Sequence, residues 1–145
     1  GGYESVGMLR LLEGVVDIYM PDIKFADKDP GMRFCGVPDY YERAREAVKE
    51  MHRQVGDLVI DGRGIALRGL LVRHLVLPGG LAGTAEVVRF LGEEISRDTY
   101  LNIMEQYRPC YRAFEHPELA RRITKEEYRQ ALETARRAGL HRRLS

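Results

Sequence analysis

The 145-residue chain carries 23 Lys and Arg against 22 Asp and Glu, a formal net charge of +1, with 31% charged and 44% hydrophobic residues. That balance suits a single packed domain and excludes both disorder and a basic nucleic-acid footprint over the whole surface. No apolar run approaches the ~20 residues that span a bilayer and no signal peptide is visible, so a cytoplasmic protein without membrane or nucleic-acid partners is expected.

In chain order, Val6, Leu9 and Leu12 recur at helical spacing over residues 4–12 and stop at Gly14, the pattern of a short helix with a glycine beyond its end. A strand follows over 15–24, Val-Val-Asp-Ile-Tyr-Met-Pro-Asp-Ile-Lys. It ends in an Asp-x-Lys pair, and alternation puts Asp22 and Lys24 on the side of Val16, Ile18 and Met20. Burying either charge alone costs several kcal/mol, roughly, so each needs the other, water or a polar ligand. In α/β chains ligands sit at the carboxyl ends of strands. A strand-end ion pair explains the same residues.

Residues 25–38, rich in Asp, Gly and Pro, read as a loop. Asp39 with Glu42 has capping-box spacing, and Tyr41, Ala44, Val48, Met51 and Val55 then recur at helical intervals up to Gly56. Residues 58–67 read as a small hairpin turning at Asp61-Gly62, outside the main sheet. Residues 70–77 form a near-continuous apolar run broken by Arg73 and His74, as in a strand covered on both faces. By alternation Arg73 shares a face with Leu75 and Leu77 and wants a carboxylate, for which Asp22 is a candidate, while His74 faces the helices as a packed histidine making one hydrogen bond.

Gly79, Gly80 and Gly83 lie in a turn feeding a helix over 85–95; they suit an anion at a helix start or simply the positive φ that such turns need. A third sheet strand is expected over 100–106, with Asn102, Met104 and Gln106 on one face. Thr124 and Glu127 then form a capping box for a helix running through Ala131 and Ala135 to Gly139. From Arg108 onward ten Arg or Lys face five Glu, which reads as a solvated helix surface. Helices between strands imply right-handed crossovers and a parallel sheet, hence an α/β fold. Three parallel strands are few for this many helices, so a small α/β domain competes with the carboxyl half of a barrel.

The order of Asp22-x-Lys24, then Leu71-Val72-Arg73-His74-Leu75-Val76-Leu77-Pro78-Gly79, then Ile103-Met104-Glu105-Gln106-Tyr107-Arg108-Pro109 resembles the second half of radical S-adenosylmethionine (SAM) proteins related to pyruvate formate-lyase activating enzyme, nearest their uncharacterised activase-homologue branch. The resemblance implies a partial (β/α)6 TIM-like barrel of which residues 1–145 supply strands four to six as one domain. It also implies a [4Fe-4S] cluster on a Cys-x3-Cys-x2-Cys loop that this sequence does not contain. Its two cysteines, Cys35 and Cys110, cannot supply the three thiolates that must converge on a cluster, and they read as reduced thiols.

By the same resemblance Asp22, Lys24 and Arg73 are SAM-site residues, Leu75 walls the adenine, and Gln106 and Tyr107 occupy a polar position at the end of the sixth strand. No residue of this chain receives a catalytic or metal-ligating role. The implied reaction of the intact protein is reductive cleavage of SAM to a 5′-deoxyadenosyl radical, with a glycyl-radical enzyme as partner substrate; this chain alone is expected to be inactive. Its expected partners are the missing amino-terminal half of the barrel or a second copy. Two alternatives stand beside this: a barrel enzyme binding phosphate or nucleotide at residues 79–84 with Lys24 and Arg73 as anion ligands, and a non-catalytic half-barrel that associates through its strand edges.

Overall fold

The computed structural model describes residues 5–24, 39–80, 82–107 and 120–145. The expected loop over 25–38, both cysteines and the segment holding Pro109 and Pro117 lie outside them.

Helix α1 (Val6–Leu11) opens on Ser5, whose hydroxyl accepts the Met8 N–H. Strand β1 (Ile18–Tyr19) follows after a turn over 12–15, so it starts later than the apolar run predicts. Its pairing with β3 (Ala66–Leu75) is parallel, Ile18 opposite Gly69 and Tyr19 opposite Leu70, and the same register returns at a bridge between Asp22 and Arg73. The strand is interrupted at Pro21, which has no N–H to give to its neighbour.

Helix α2 (Tyr40–Val55) is the longest element and ends at Gly56, φ +71°. The expected capping box does not form. The Asp39 side chain makes no cap bond; its carboxylate accepts instead from Arg43 Nε at 2.7 Å, one turn along the helix. An i,i+4 arginine outcompetes the backbone for that carboxylate.

The hairpin and the central apolar strand are one element, not two. Strand β2 (Val59–Ile60) runs antiparallel to the start of β3, and β3 then continues into the parallel sheet. The hairpin turn is held by the Asp61 carboxylate, which accepts from the N–H groups of Arg63 and Ile65, and its left-handed residue is Gly64 (φ +81°) rather than Gly62. Gly69 is the switch between the two pairings. Its φ is +114°, and a Cβ there would lie 2.4 Å from the Asp57 carbonyl oxygen.

After a 3-10 turn (Pro78–Gly80), helix α3 (Thr84–Phe90) runs into a π-helical turn (Leu91–Ile95), closed by the Ser96 N–H donating to the Leu91 carbonyl. Gly92 in that turn lets the backbone of Ala138 approach, where a Cβ would meet its carbonyl oxygen at 2.8 Å. Strand β4 (Tyr100–Met104) pairs parallel with β3, Arg73 opposite Asn102 and Leu75 opposite Met104. Helix α4 (Lys125–Arg137) begins with the predicted capping box, Thr124 and Glu127 bonding reciprocally. A final strand β5 (Arg142–Leu144), not expected from its polar sequence, pairs parallel with β4.

The result is α/β: a parallel sheet in the order β1-β3-β4-β5, with β2 antiparallel on the early part of β3. Burial alternates along β3 and β4. Leu70, Val72, Leu101 and Ile103 are buried in one core with Val48 and Met51 of α2, Val87 of α3 and Ala135 of α4. Leu71, Arg73, Leu75, Tyr100, Asn102 and Met104, on the other face, are only partly covered. Helices thus lie against one side of the sheet, and the expectation that residues 70–77 are covered on both faces is corrected. No helix among the described residues is long and apolar enough to cross a membrane.

Candidate functional site

The open face of the sheet carries the charged residues that the sequence singles out. The constant offset between β1 and β3 sets Asp22 beside Arg73, and β4 adds Asn102 beside Arg73, so the three share one row across the sheet. Arg73 donates to Asp22 in bidentate fashion, Nε to Oδ1 at 2.6 Å and Nη2 to Oδ2 at 3.0 Å. That carboxylate raises the Arg73 pKa, so the guanidinium stays charged. The pair remains 39% and 27% exposed at Arg73 and Asp22 respectively. It is therefore a solvated, well-oriented pair on an accessible face and not a buried one.

Lys24, two residues beyond Asp22, is exposed and makes no ion pair among the described residues. Leu75 is partly buried on the same face as Arg73, with Met104 opposite it on β4. The cluster presents one cation already neutralised, one cation available, a carboxylate, an amide at Asn102 and a short apolar wall. Such a set can receive a zwitterionic or anionic group with an adjoining apolar surface.

Gln106 and Tyr107 lie elsewhere. They follow the end of β4 and line an open hollow with Glu105, Arg122, Ile123, Thr124 and Lys125 at the start of α4. The structure brings Asp22, Lys24, Arg73 and Leu75 to one face at the carboxyl ends of β1 and β3 and leaves Gln106 and Tyr107 beyond the end of β4.

His74 faces the helices, as expected, but makes two hydrogen bonds rather than one. Nδ1 lies 2.7 Å from the Ile23 carbonyl and Nε2 3.0 Å from the Thr84 hydroxyl. A carbonyl only accepts, so the proton sits on Nδ1 and Nε2 accepts from Thr84. Burial pushes the imidazole pKa below its ordinary value, against the pull of the Ile23 carbonyl, and keeps the ring neutral. Tyr40, the first residue of α2, has its hydroxyl between two backbone groups of the Asp-x-Lys segment: it donates to the Asp22 carbonyl at 3.2 Å and accepts the Lys24 N–H at 2.8 Å. Sequence reasoning missed Tyr40 and Thr84; each looks like an ordinary residue at a helix start, and only the fold brings them to β1 and β3.

The glycines after β3 supply the left-handed backbone of the turn, with Gly79, Gly80 and Gly83 all at φ between +62° and +71°. The Gly79 N–H donates to the Glu127 carboxylate, which also takes Arg121 and is held down to about 2, chiefly by that arginine. Among the described residues no group of three or more His, Cys, Asp or Glu side chains could hold a metal ion.

No protein-family model matches the chain, and no solved structure matches it. A protein of Methanocaldococcus jannaschii, itself uncharacterised, is 34% identical over 139 residues. The alignment covers 95% of this chain and 37% of that protein, so the chain spans little more than a third of its relative's length.

Proposed function

We propose that this chain is the carboxyl half of a partial (β/α)6 barrel in a radical SAM protein of the activating-enzyme type, and that Asp22, Lys24, Arg73 and Leu75 form part of its SAM side. The observation that carries the reading is the open sheet face, where the bidentate Asp22–Arg73 pair stands at the carboxyl ends of adjacent parallel strands, with Lys24 two residues on and making no ion pair among the described residues. Three further features support it. Parallel strands follow in sequential order with helices on one face, the winding a barrel needs, whereas a doubly wound sheet places helices on both. Helix α1 and its turn carry an exposed apolar stripe at i, i+3, i+4 and i+7, Met8, Leu11, Leu12 and Val15, with Leu11 82% exposed. That stripe suits a preceding helix of the absent half. The relative's length leaves ample room for one.

A [4Fe-4S] cluster does not fit this chain, since two cysteines cannot provide three thiolates, so the electron donor and the radical chemistry belong to the absent half. SAM fits better: Lys24 suits its carboxylate, Asp22 and Asn102 its amine or hydroxyls, and Leu75 its flat base. A glycyl-radical enzyme as the eventual substrate and the cytoplasm as its location belong to the same proposal.

Titration of SAM by calorimetry tests it. Lys24→Met and Arg73→Met each remove a charge-assisted contact, and each should weaken binding by about ten- to a hundredfold with thermal unfolding nearly unchanged. Wild-type affinity in both variants refutes the site. Protection of Lys24 and Arg73 by inorganic phosphate instead of SAM would favour a phosphate- or nucleotide-binding barrel.

A further inference from the structure

The direction of each hydrogen bond along β1 shows what holds the Asp22–Lys24 segment in place. The Gly69 N–H donates to the Asp17 carbonyl, the Arg73 N–H to the Pro21 carbonyl, and the Ile23 N–H to the Arg73 carbonyl. Residues 17, 21 and 23 therefore point their backbone groups at β3. In a parallel ladder the alternate residues, Asp22 and Lys24 among them, point theirs at the opposite, free edge. On that edge one residue of an added strand would give its N–H to the Asp22 carbonyl and take the Lys24 N–H on its own carbonyl. The Tyr40 hydroxyl makes both of these bonds, at 3.2 and 2.8 Å. Tyr40 itself is buried, at 5% exposed, and its two bonds are partly buried.

On the other edge the Ile23 carbonyl, which a regular ladder would offer to the next β3 amide, is taken by the His74 ring at 2.7 Å. His74 is fully buried and is oriented in turn by the Thr84 hydroxyl. We propose that Tyr40 and the His74–Thr84 pair are positioning residues that clamp the Asp-x-Lys segment from both edges, with the Tyr40 hydroxyl standing in for one residue of a neighbouring strand. The clamp fixes the backbone from which Asp22 and Lys24 reach the open face. It also ends strand addition to β1 at Met20, so a preceding strand pairs alongside Ile18 and no further. The inference rests on the SAM-site reading only for the identity of the ligand.

The test places Tyr40→Phe, Thr84→Val and Thr84→Ser in this chain for NMR and in the full-length protein for the SAM titration. By NMR, Tyr40→Phe should speed exchange of the Lys24 amide about five- to tenfold while the Val72 and Ile103 amides keep their protection. The His74 ring nitrogens should report the Nδ1–H tautomer in the wild type and in Thr84→Ser, and a mixture of tautomers in Thr84→Val. In a SAM titration, Tyr40→Phe and Thr84→Val should each lose about fivefold in affinity and Thr84→Ser none. Unchanged Lys24 exchange in Tyr40→Phe, or acceleration spread equally over β3 and β4, overturns the clamp, as does an Nε2–H tautomer in the wild type. Absence of SAM binding in the wild type overturns the ligand reading and leaves the exchange and tautomer results to decide the clamp.

Discussion

Replacing Gly69 with alanine is expected to be the most damaging methyl addition among the described glycines. At φ +114° an L-residue carries about 1–3 kcal/mol of backbone strain. The new Cβ would also sit 2.4 Å from the Asp57 carbonyl oxygen and 2.5 Å from Leu58 Cα, both backbone atoms that cannot rotate away. Relief requires β3 to part from residues 56–58, which strains the bond from the Leu70 N–H to the Gly56 carbonyl at 3.0 Å. Losing one buried hydrogen bond adds roughly 1–3 kcal/mol, so the total is about 2–6 kcal/mol, centred near 4. With a urea m-value of about 2 kcal/mol per molar, the midpoint falls by about 2 M. Gly7→Ala is the control: it adds a methyl within α1 with no heavy atom within 4 Å, and it should stabilise by up to about 1 kcal/mol. A Gly69→Ala protein within about 1 kcal/mol of wild type, the low end of the backbone strain alone, would refute the reasoning.

The Asp22–Arg73 pair, being partly exposed, should contribute little to stability: a double-mutant cycle with Asp22→Asn and Arg73→Met is expected to give a coupling of about 0.5–1 kcal/mol in urea unfolding. A coupling above about 3 kcal/mol would make the pair a structural one. Stability should also rise with pH through two windows. Glu50, bonded by Arg53 and Gln54, is held at about 2 against an ordinary 4.5, so the unfolded chain takes up a proton first and stability is lost as pH falls from 4.5 toward 2. His74, kept neutral by burial, loses stability in the same direction as pH falls below 6.5. Urea midpoints against pH, with Glu50→Gln flattening the acid limb, check both; a midpoint flat from pH 7 to 3 would contradict them.

The parts of the fold that a period and a stop signal define were legible in the sequence. The α2 stripe from Tyr41 to Val55, the Thr124–Glu127 box and the apolar runs of β3 and β4 appear close to where the pattern puts them, whereas β1 is cut to Ile18–Tyr19 of the expected 15–24. What failed depended on competition or distance. Asp39 had cap spacing, but Arg43 took its carboxylate. Strand β5 has two arginines and two positive φ values, so neither composition nor alternation marks it, and only the free edge of β4 explains its pairing. The hairpin and β3 read as separate elements in the sequence, while the positive φ of Gly69 is what lets one strand serve two partners. At the site, the Asp22–Arg73 pairing was foreseeable from alternation on adjacent strands. The Tyr40 hydroxyl was not, because nothing local distinguishes it from any tyrosine opening a helix.

Because each parallel strand is laid against the parallel strand before it, the molecule is organised much like a short solenoid. The helices follow suit: α1 rests on α2, α2 on the π-helical turn after α3, and α3 on α4. Free energy in such an arrangement divides into units and the junctions between successive units, and no single closure holds the ends together. Opening can therefore begin at either outer strand without dissolving the middle: β1 is attached through two residue pairs and a bridge, β5 through three pairs. The same open-endedness makes growth inexpensive: another strand and helix beside β1 would add one junction and disturb none of those already made.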